Sequence, residues 1–357
     1  MDTRRTKRLL FCAAILLGLL ILGILVSLSD IHKLAEIGRG LSLPWIVLAA
    51  AAAIASFWAF GLCFAVLVRH LVRASAIPDI IRIGYVSFTF SELFVSAGIS
   101  GYAVRSLHLA GHGISYLETL IYSLARAFIH YSAIFLAFLL TVGLFIPSIP
   151  EGIGGNVLLF QFILFTGLLA YAVRIFSSST ARNRWVRLAG YCLNTLAAIR
   201  GRERWFDARV QHRVEGIMDG AIEALYTLGW RVFRAFLVDC AGLMLRFAAL
   251  YCAFRACGFT IDPAIMIAGF IIGTFWAFFV QIPGQMGVME GAVSGVFTTF
   301  GIPFEVALAA CVLYRLTYSL FPFLVGFVFL PRLARQTLSA FLHGGIASPG
   351  SDSHKQD

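Results

Sequence analysis

Long apolar segments alternate with short polar ones along the whole chain. Six of them are Leu9–Leu28, Trp45–Leu67, Leu117–Ile146, Val157–Arg174, Trp230–Phe254 and Phe304–Leu330. A helix needs about 20 apolar residues to cross the hydrocarbon core of a bilayer, and these segments are near or above that length. They are continuous rather than alternating, which favours helices over the strands of a β-barrel. The pattern therefore predicts an all-α polytopic membrane protein with six full transmembrane helices.

Two further apolar stretches, Ile80–Leu109 and Ala264–Phe300, are interrupted near their middles. The interruptions are the glycine-containing segments Ser96–Gly101 and Ile282–Gly287. Glycine permits a tight turn, and non-helical backbone at membrane depth is tolerated where protein or a wet cavity surrounds it. We therefore predict two re-entrant hairpins. In the alternative interpretation, the glycines only allow neighbouring helices to pack closely.

The interrupted stretches share an order of residues. In the first, Gly98 and Gly101 precede Gly113-Ile114-Ser115; in the second, Gly284 and Gly287 precede Gly301-Ile302-Pro303. The step from the first glycine to the Gly-Ile element is 15 residues in one copy and 17 in the other. If the two hairpins enter from opposite faces of the membrane, they form an inverted repeat, as in many transporters.

Basic residues mark the side on which each connection lies. They occur at positions 4–8, at 69–82, in the segment 174–213 with nine arginines, and at 332 and 335, whereas the loop 147–156 has no Lys or Arg. Cytoplasmic loops of membrane proteins carry an excess of Lys and Arg. We therefore expect a multi-pass protein of the bacterial cytoplasmic (inner) membrane, with both termini in the cytoplasm.

The composition supports this interpretation and excludes a soluble protein. Hydrophobic residues make up 60% of the 357 positions, charged residues 13%, and the formal net charge is +10. A chain with this composition needs lipid, rather than water, at its outer surface. In a soluble protein the positive charge would suggest nucleic acid; here we expect no nucleic-acid partner, because basic loops beside anionic lipid heads explain it.

The chain divides into four predicted parts. Residues 1–176 form an N-terminal transmembrane half with the first interrupted stretch, and residues 230–335 a C-terminal half with the second. Residues 336–357 are predicted to be a disordered cytoplasmic tail. The basic segment 177–229 carries two patterns of apolar residues at helical spacing, which predict amphipathic helices in contact with anionic lipid head groups. The alternative is a connector held at the surface by its charge.

Charged residues inside the apolar segments are the candidates for a site. Arg126 lies nine residues into its segment and Arg315 eleven, so both are about 14–17 Å deep at 1.5 Å per residue. A charge near the bilayer centre costs at least about 2.5–3.5 kcal/mol, so both arginines should face the protein interior. The two could hold an anionic head group together, or each could form a structural ion pair with Glu92, Glu290 or Asp239.

The candidate substrate-binding residues combine these arginines, their neighbours and the glycine turns: Gly98, Gly101, Arg105, Arg126, His130, Gly284, Gly287, Glu290, Arg315 and Tyr318. Glu290 and Arg105 occupy nearly equivalent places in the two copies and carry opposite charges, so we expect them to pair. Glu290 is also a candidate proton carrier, because burial raises the pKa of a carboxyl group.

The sequence lacks three motifs that are common in soluble enzymes. It has no G-x-x-x-x-G-K-[ST], no H-E-x-x-H and no G-x-S-x-G, so nucleotide hydrolysis and two common hydrolase mechanisms are not indicated. The seven cysteines form no C-x-x-C pair, and we expect no metal site and no cofactor. The chain is therefore not expected to be an enzyme.

The second interrupted stretch resembles the lysylphosphatidylglycerol synthetase transmembrane-domain family. The matching residues are Pro283, Gly284, Gly287, Glu290, Gly301, Pro303 and Arg315, whereas Gln285 replaces the usual second glycine. Gly98, Gly101 and Arg105 match the first-half element more loosely, and the resemblance covers about residues 5–335. It implies a flippase-like domain that handles polar lipids. In fused synthetases this domain translocates aminoacylated phosphatidylglycerol, which a separate acyltransferase domain makes. We do not expect aminoacyl transfer by this chain.

The sequence therefore predicts a lipid flippase or lipid transporter that moves a polar, anionic or lipid-linked head group by alternating access. Its expected partners are the membrane lipid itself and a lipid-synthesising enzyme. Two alternatives stay open at this point. One is a non-transporting scaffold for a lipid- or glycan-synthesising enzyme, and the other is an intramembrane transferase that modifies a lipid.

Overall fold

The computed structural model describes residues 3–93, 99–145, 153–199, 206–279, 285 and 287–343, and every regular element among them is helical. The helices are α1 Thr3–Leu28, α2 Ile31–Arg39, α3 Leu43–Val68, α4 Ile77–Leu93, α5 Ile99–Ala110, α6 Tyr116–Phe145, α7 Ile153–Ser177, α8 Ser179–Ile199, α9 Ala208–Leu228, α10 Trp230–Ala256, α11 Pro263–Phe278, α12 Val288–Thr299, α13 Phe304–Arg315 and α14 Phe321–His343. A π-helical turn, Leu316–Leu320, joins α13 to α14.

Five helical spans in the described residues are long and apolar enough to cross a membrane: Leu43–Val68, Tyr116–Gly143, Gly155–Ile175, Trp230–Ala256 and Phe304–Pro331. They confirm the last five predicted spans. The first predicted span is the apolar part of α1, which passes the same test together with α2 across a bend of 97°. Asp30 caps the start of α2 by accepting hydrogen bonds from the backbone N–H groups of His32 and Lys33, which explains why the chain restarts as a separate helix there.

Helices α3 and α10 pack antiparallel along their whole length and form the axis of the fold. At one end the Ser42 N–H donates to the Ala256 carbonyl oxygen at 3.0 Å. Near the middle the Ser56 hydroxyl donates to the Gly242 carbonyl oxygen at 2.8 Å. The remaining helices surround this pair, so residues on its two facing sides are shielded from lipid.

Both interrupted stretches fold as antiparallel helical hairpins. In the first, formed by α4 and α5, the Ser100 hydroxyl donates to the Phe90 carbonyl oxygen at 3.1 Å, and Leu109 shares a buried cluster with Ile80. In the second, formed by α11 and α12, Gly269 faces Phe297 and Gly273 faces Val293. The predicted turn glycines Gly98 and Gly284 lie outside the described residues.

The two hairpins have nearly the same dimensions and the same neighbours in the chain. Helices α4 and α11 have 17 and 16 residues, and α5 and α12 have 12 each. A long helix precedes each hairpin, and another follows it after a turn. Both turns contain a glycine at positive φ, Gly113 at 79° and Gly301 at 82°, where a side chain would be strained. The order of elements in α3–α6 thus recurs in α10–α14.

The basic segment between the halves forms α8 and α9, as the two apolar patterns predicted. The Asn194 side chain accepts from the Phe206 N–H and donates to the Phe206 carbonyl oxygen, at 3.1 and 2.9 Å. These two bonds tie the end of α8 to the chain that leads into α9. Gly220 of α9 lies against Ile121 of α6, so α9 rests on the bundle. At the C-terminus, α14 continues to His343, into the segment predicted to be a tail.

Close backbone packing between α3 and α4 leads to a stability prediction. A Cβ at Gly61 would lie 2.6 Å from the Ile81 carbonyl oxygen, and one at Gly84 would lie 2.7 Å from the Gly61 Cα. We expect Gly61→Ala or Gly84→Ala to lower the free energy of unfolding by about 1–3 kcal/mol, because backbone atoms must move apart. Thermal unfolding of the purified protein in detergent measures the effect. Gly167→Ala is the matched control, since no atom lies within 4 Å of a Cβ built at that position. If Gly167→Ala lost as much stability as Gly61→Ala or Gly84→Ala, the packing argument would be wrong.

Candidate functional site

Helix α10 carries two buried charges near the middle of the bundle. Asp239 is 0% exposed and Arg246 is 9% exposed. They are seven residues apart, which corresponds to about 10 Å along a helix. Each is the centre of a group of polar side chains. We call the first the Asp239 cluster, made of Asp239, Arg126, His130, Arg105 and Cys63. The second is the Tyr314 cluster, made of Arg246, Glu92, Glu290, Arg315, Tyr314 and Tyr318.

In the Asp239 cluster, one carboxylate serves two cationic or protonatable groups of α6. The Asp239 Oδ2 atom lies 2.8 Å from the His130 Nδ1 atom, and its Oδ1 atom lies 3.5 Å from the Arg126 Nη2 atom. Arg126 and His130 are one helical turn apart, so they reach the same partner. Asp239 therefore holds α10 against α6 through charge-assisted hydrogen bonds.

Arg105 of α5 brings a second arginine to this cluster. It is 7% exposed, and its Cζ atom lies 5.1 Å from the ring centre of Phe64 and 5.8 Å from that of Phe88. The Arg126 Cζ atom lies 3.5 Å from the same Phe88 ring. Among the described residues no carboxylate lies within ion-pair distance of Arg105, and the Nε atoms of both arginines lack a hydrogen-bond partner.

Positive charge therefore exceeds negative charge in the Asp239 cluster, whatever the protonation state of His130. A cation–π contact contributes about 0.5–2 kcal/mol. Removing a charge from water costs several kcal/mol even after the protein relaxes. The phenylalanine rings thus offset part of the cost of burying Arg105 and leave the rest uncompensated. An anion placed between the two arginines would remove that cost.

The Tyr314 cluster holds two ion pairs around one tyrosine. The Arg246 Nε–H donates to the Tyr314 hydroxyl at 3.0 Å, and the Arg246 Nη1 atom lies 3.7 Å from the Glu92 Oε1 atom. The Arg315 Nε atom lies 3.2 Å from the Glu290 Oε1 atom. Here the two positive charges are matched by two carboxylates. The second oxygen of Glu290, Oε2, is buried without a hydrogen-bond partner.

A stack of two tyrosines covers this cluster. The rings of Tyr314 and Tyr318 lie 5.0 Å apart with 18° between their planes. The Tyr318 and Ser56 hydroxyl oxygens are 3.2 Å apart. Tyr318 belongs to the π-helical turn that follows Arg315, and such turns often occur at functional positions because they redirect side chains. The stack therefore connects α13 with the central helix α3.

Both carboxylates of the Tyr314 cluster lie at helix ends that flank the interruptions of the two apolar stretches. Glu92 is in the last turn of α4, and Glu290 is in the first turn of α12. Each pairs with an arginine of a different helix, Arg246 of α10 or Arg315 at the end of α13. A crevice with about 160 Å³ of empty space lies beside Glu290 and is lined by Phe270, Met289, Glu290, Val293, Cys311, Tyr314 and Arg315. Moving either hairpin end therefore requires breaking an ion pair.

The structure places most of the predicted site residues in the two clusters but changes their pairing. The expected pair of Glu290 with Arg105 is wrong, because Glu290 contacts Arg315 and Arg105 lies against Phe64. Arg126 and Arg315 do not share one site, since each pairs with a carboxylate in its own cluster. The alternative of structural ion pairs matches the contacts of Arg126 with Asp239 and of Arg315 with Glu290, whereas Glu92 pairs with Arg246.

The predicted glycines have packing roles where they are described. Gly101 lies against Ser87 and Ser91 of α4, so it allows the first hairpin to close. Gly287 has a φ of 75° and lies against the backbone of α1. Sequence reasoning left out Arg246 and Tyr314 as site residues. Arg246 could have been found as a charge within an apolar span, whereas nothing in the sequence distinguishes Tyr314 from a core tyrosine.

The sequence profile of a family described as lysylphosphatidylglycerol synthase TM region matches residues 13–326, nearly the whole chain. No curated protein matches the chain.

Proposed function

We propose, from the premise that the chain belongs to the lysylphosphatidylglycerol synthase TM-region family, that it moves the polar head group of a membrane lipid across the bacterial cytoplasmic membrane. The observation that carries this proposal is the Tyr314 cluster. Four charged side chains, two arginines and two carboxylates, meet there among helices that are long and apolar enough to span a membrane. Such residues are costly in a membrane and mark paths for polar substrates.

The arrangement of helices supports an alternating-access mechanism. In this proposal α3–α6 and α10–α14 are inverted repeats, because α3 and α10 are antiparallel and each is followed by a hairpin of similar size. Hairpin α4–α5 would then enter from the cytoplasm and α11–α12 from the opposite side. We assign both termini to the cytoplasm because basic residues lie near both ends of the chain, and cytoplasmic segments carry an excess of Lys and Arg. One repeat would rock against the other around the central charges.

Transport also requires the hairpin ends to separate. The crevice at Glu290 leaves no room for a ligand in this conformation, whereas ligand pockets begin at roughly 300 Å³. An anionic head group can take the place of Glu290 on Arg315, or of Glu92 on Arg246, because carboxylate and phosphate oxygens bind guanidinium in the same way. Exchange of partners would thus keep each arginine paired with an anion while the hairpin end moves away with its carboxylate.

The surface segment α8–α9 supports a contact with lipid. Trp185, Leu188 and Tyr191 of α8 are all at least 40% exposed, and the exposed Arg187 lies on the same helix. An amphipathic helix of this kind lies in the headgroup layer and attracts anionic lipid. We assign α8 this role, and a lipid-synthesising enzyme is the natural supplier of the transported lipid. The chain itself would leave that lipid chemically unchanged.

The decisive experiment measures leaflet exchange of labelled lipids in vesicles that contain the purified chain. The panel includes phosphatidylglycerol, phosphatidylethanolamine and a polyprenyl phosphate. We expect exchange above that of protein-free vesicles for at least one lipid, and loss of most of it in Glu290→Gln, since the neutral side chain cannot displace the head group from Arg315 and so cannot release it. Glu36→Gln is the control, because Glu36 lies on α2, away from both clusters.

Two outcomes would contradict the proposal. No exchange for any lipid of the panel, with folded protein confirmed, would favour a scaffold that acts through a partner enzyme. A chemically altered lipid recovered from vesicles containing this chain alone would favour an intramembrane transferase. Lipid extracted after the assay and analysed by mass spectrometry distinguishes this second outcome from transport.

A further inference from the structure

Arg105 is a buried cation that the proposed function has not used. It is 7% exposed, its Nε atom has no hydrogen-bond partner, and no carboxylate of the described residues lies within ion-pair distance. Its nearest charged neighbour in the cluster, Arg126, repels it. A side chain of this kind destabilises the empty protein, so its presence needs a reason other than packing.

The surroundings of Arg105 define the ligand that would satisfy it. The rings of Phe64 and Phe88 lie against the guanidinium group. The N–H donors of a guanidinium lie in its own plane, so ring contacts on its faces leave them available to oxygen acceptors. Arg126 offers a second buried Nε atom that has no hydrogen-bond partner. Two such groups suit an anion with several oxygens that can accept from both.

We propose that Arg105 and Arg126 form a subsite for the phosphate group of a lipid. A phosphate diester carries one negative charge, which would balance the excess positive charge of the Asp239 cluster. Its free oxygens can accept from two guanidinium groups at once, which strengthens charge-assisted binding. A ligand without phosphate, such as a neutral glycolipid, would leave both arginines unsatisfied.

The position of the subsite assigns it a stage in transport, and this part of the inference rests on the proposed function. Arg126 lies ten residues into α6, so it is about 15 Å from the start of that helix. Asp239 precedes Arg246 on α10, which runs outward from the cytoplasmic side in the proposed topology. The subsite is therefore on the cytoplasmic side of the Tyr314 cluster. A head group entering from the inner leaflet would meet it first.

Ligand-dependent unfolding of the full chain in detergent tests the subsite. The probes are short-chain phosphatidylglycerol, a short-chain diacylglycerol without phosphate, and inorganic phosphate. We expect phosphatidylglycerol to raise the unfolding temperature of the wild type, and its apparent affinity to fall at least about tenfold in Arg105→Met, as for loss of one charge-assisted hydrogen bond. Arg105→Lys should retain part of the effect. Arg82→Met is the matched control on the same hairpin, because Arg82 pairs with Asp79 at 2.7 Å.

The unfolding temperature without ligand gives a second, independent result. We expect Arg105→Met to unfold at a higher temperature than the wild type, because an apolar side chain replaces an unpaired buried cation between two aromatic rings. A purely structural arginine would give the opposite shift. A lower unfolding temperature together with unchanged phosphatidylglycerol dependence would overturn the subsite.

The other outcomes distinguish a lipid phosphate from inorganic phosphate, and they test the subsite separately from the transport function. Equal protection by inorganic phosphate, with no further effect of the lipid, would overturn the assignment to a lipid. If vesicles show no leaflet exchange but phosphatidylglycerol binding still depends on Arg105, the subsite stands and the transport function is wrong. If exchange is observed and Arg105→Met binds the lipid like the wild type, the transport function stands and the subsite is wrong.

Discussion

Asp239→Asn is expected to destabilise the protein by about 3–5 kcal/mol, the cost of breaking a buried ion pair by removing one partner. Asp239 is 0% exposed and contacts both Arg126 and His130. Asparagine has a similar shape but no charge. It would leave Arg126 and the neighbouring Arg105 without any carboxylate in their cluster, and it would weaken the link between α10 and α6.

Chemical unfolding in detergent, followed by helix content, measures this loss. Asp219→Asn is the matched control, since Asp219 pairs with Arg182 at 2.6 Å but is 55% exposed; exposed pairs contribute about 0–1 kcal/mol. The double variant Asp239→Asn with Arg105→Met should recover part of the stability, because it removes one of the stranded cations. An Asp239→Asn protein as stable as the wild type would show that the Asp239 cluster is not an ion-pair network.

Reversing the charges of Glu290 and Arg315 should separate the stability of the Tyr314 cluster from its function. Glu290→Arg alone places two guanidinium groups side by side where the wild type has an ion pair at 3.2 Å, and we expect a loss of about 3 kcal/mol or more. Arg315→Glu alone should cost a similar amount. The double variant restores a pair of opposite charges and should regain at least half of the lost stability.

Leaflet exchange should stay lost in the double variant, although its fold is restored. In the proposed mechanism the arginine stays at the end of α13, beside the Tyr314–Tyr318 stack, and the carboxylate moves with the α12 hairpin. The swap places the arginine on the hairpin, where it cannot receive an anionic head group at the fixed position. Recovery of exchange together with stability would mean that the pair is structural and that the head group passes elsewhere. Swapping Arg182 and Asp219 at the surface is the control.

The membrane spans were predictable because each one is a local property of the chain. Lipid offers no hydrogen bonds, so a spanning segment must satisfy its own backbone as a helix and be apolar over its length. Spans α3, α6, α7, α10 and α13–α14 follow from that rule. The bend at Asp30 also has a local cause, since Asp is a favoured helix cap, but no prediction was made for the chain between Leu28 and Trp45.

The two antiparallel helix pairs α4–α5 and α11–α12 were predictable in their extent and less so in their contacts, and their re-entrant entry into the membrane stays a prediction. Glycine-interrupted apolar stretches indicated where the chain turns, and the repeated Gly-Ile elements correspond to turns at Gly113 and Gly301, both at positive φ. The sequence could not show that Gly61 and Gly84 lie in backbone contact across α3 and α4. Any glycine in an apolar helix has the same local signature, whether it is packed or open.

The sequence alone determined that this is a helical membrane protein of one family and that its buried charges must face inward, because hydrophobic length and the cost of charge in lipid depend on local composition. The tertiary structure decided which charge meets which. In the folded protein Glu290 pairs with Arg315 rather than with Arg105, and Arg105 contacts two aromatic rings. Pairing depends on how helices far apart in the chain rotate and cross, and three or four charges on different helices allow many neutral combinations that only their packing can distinguish.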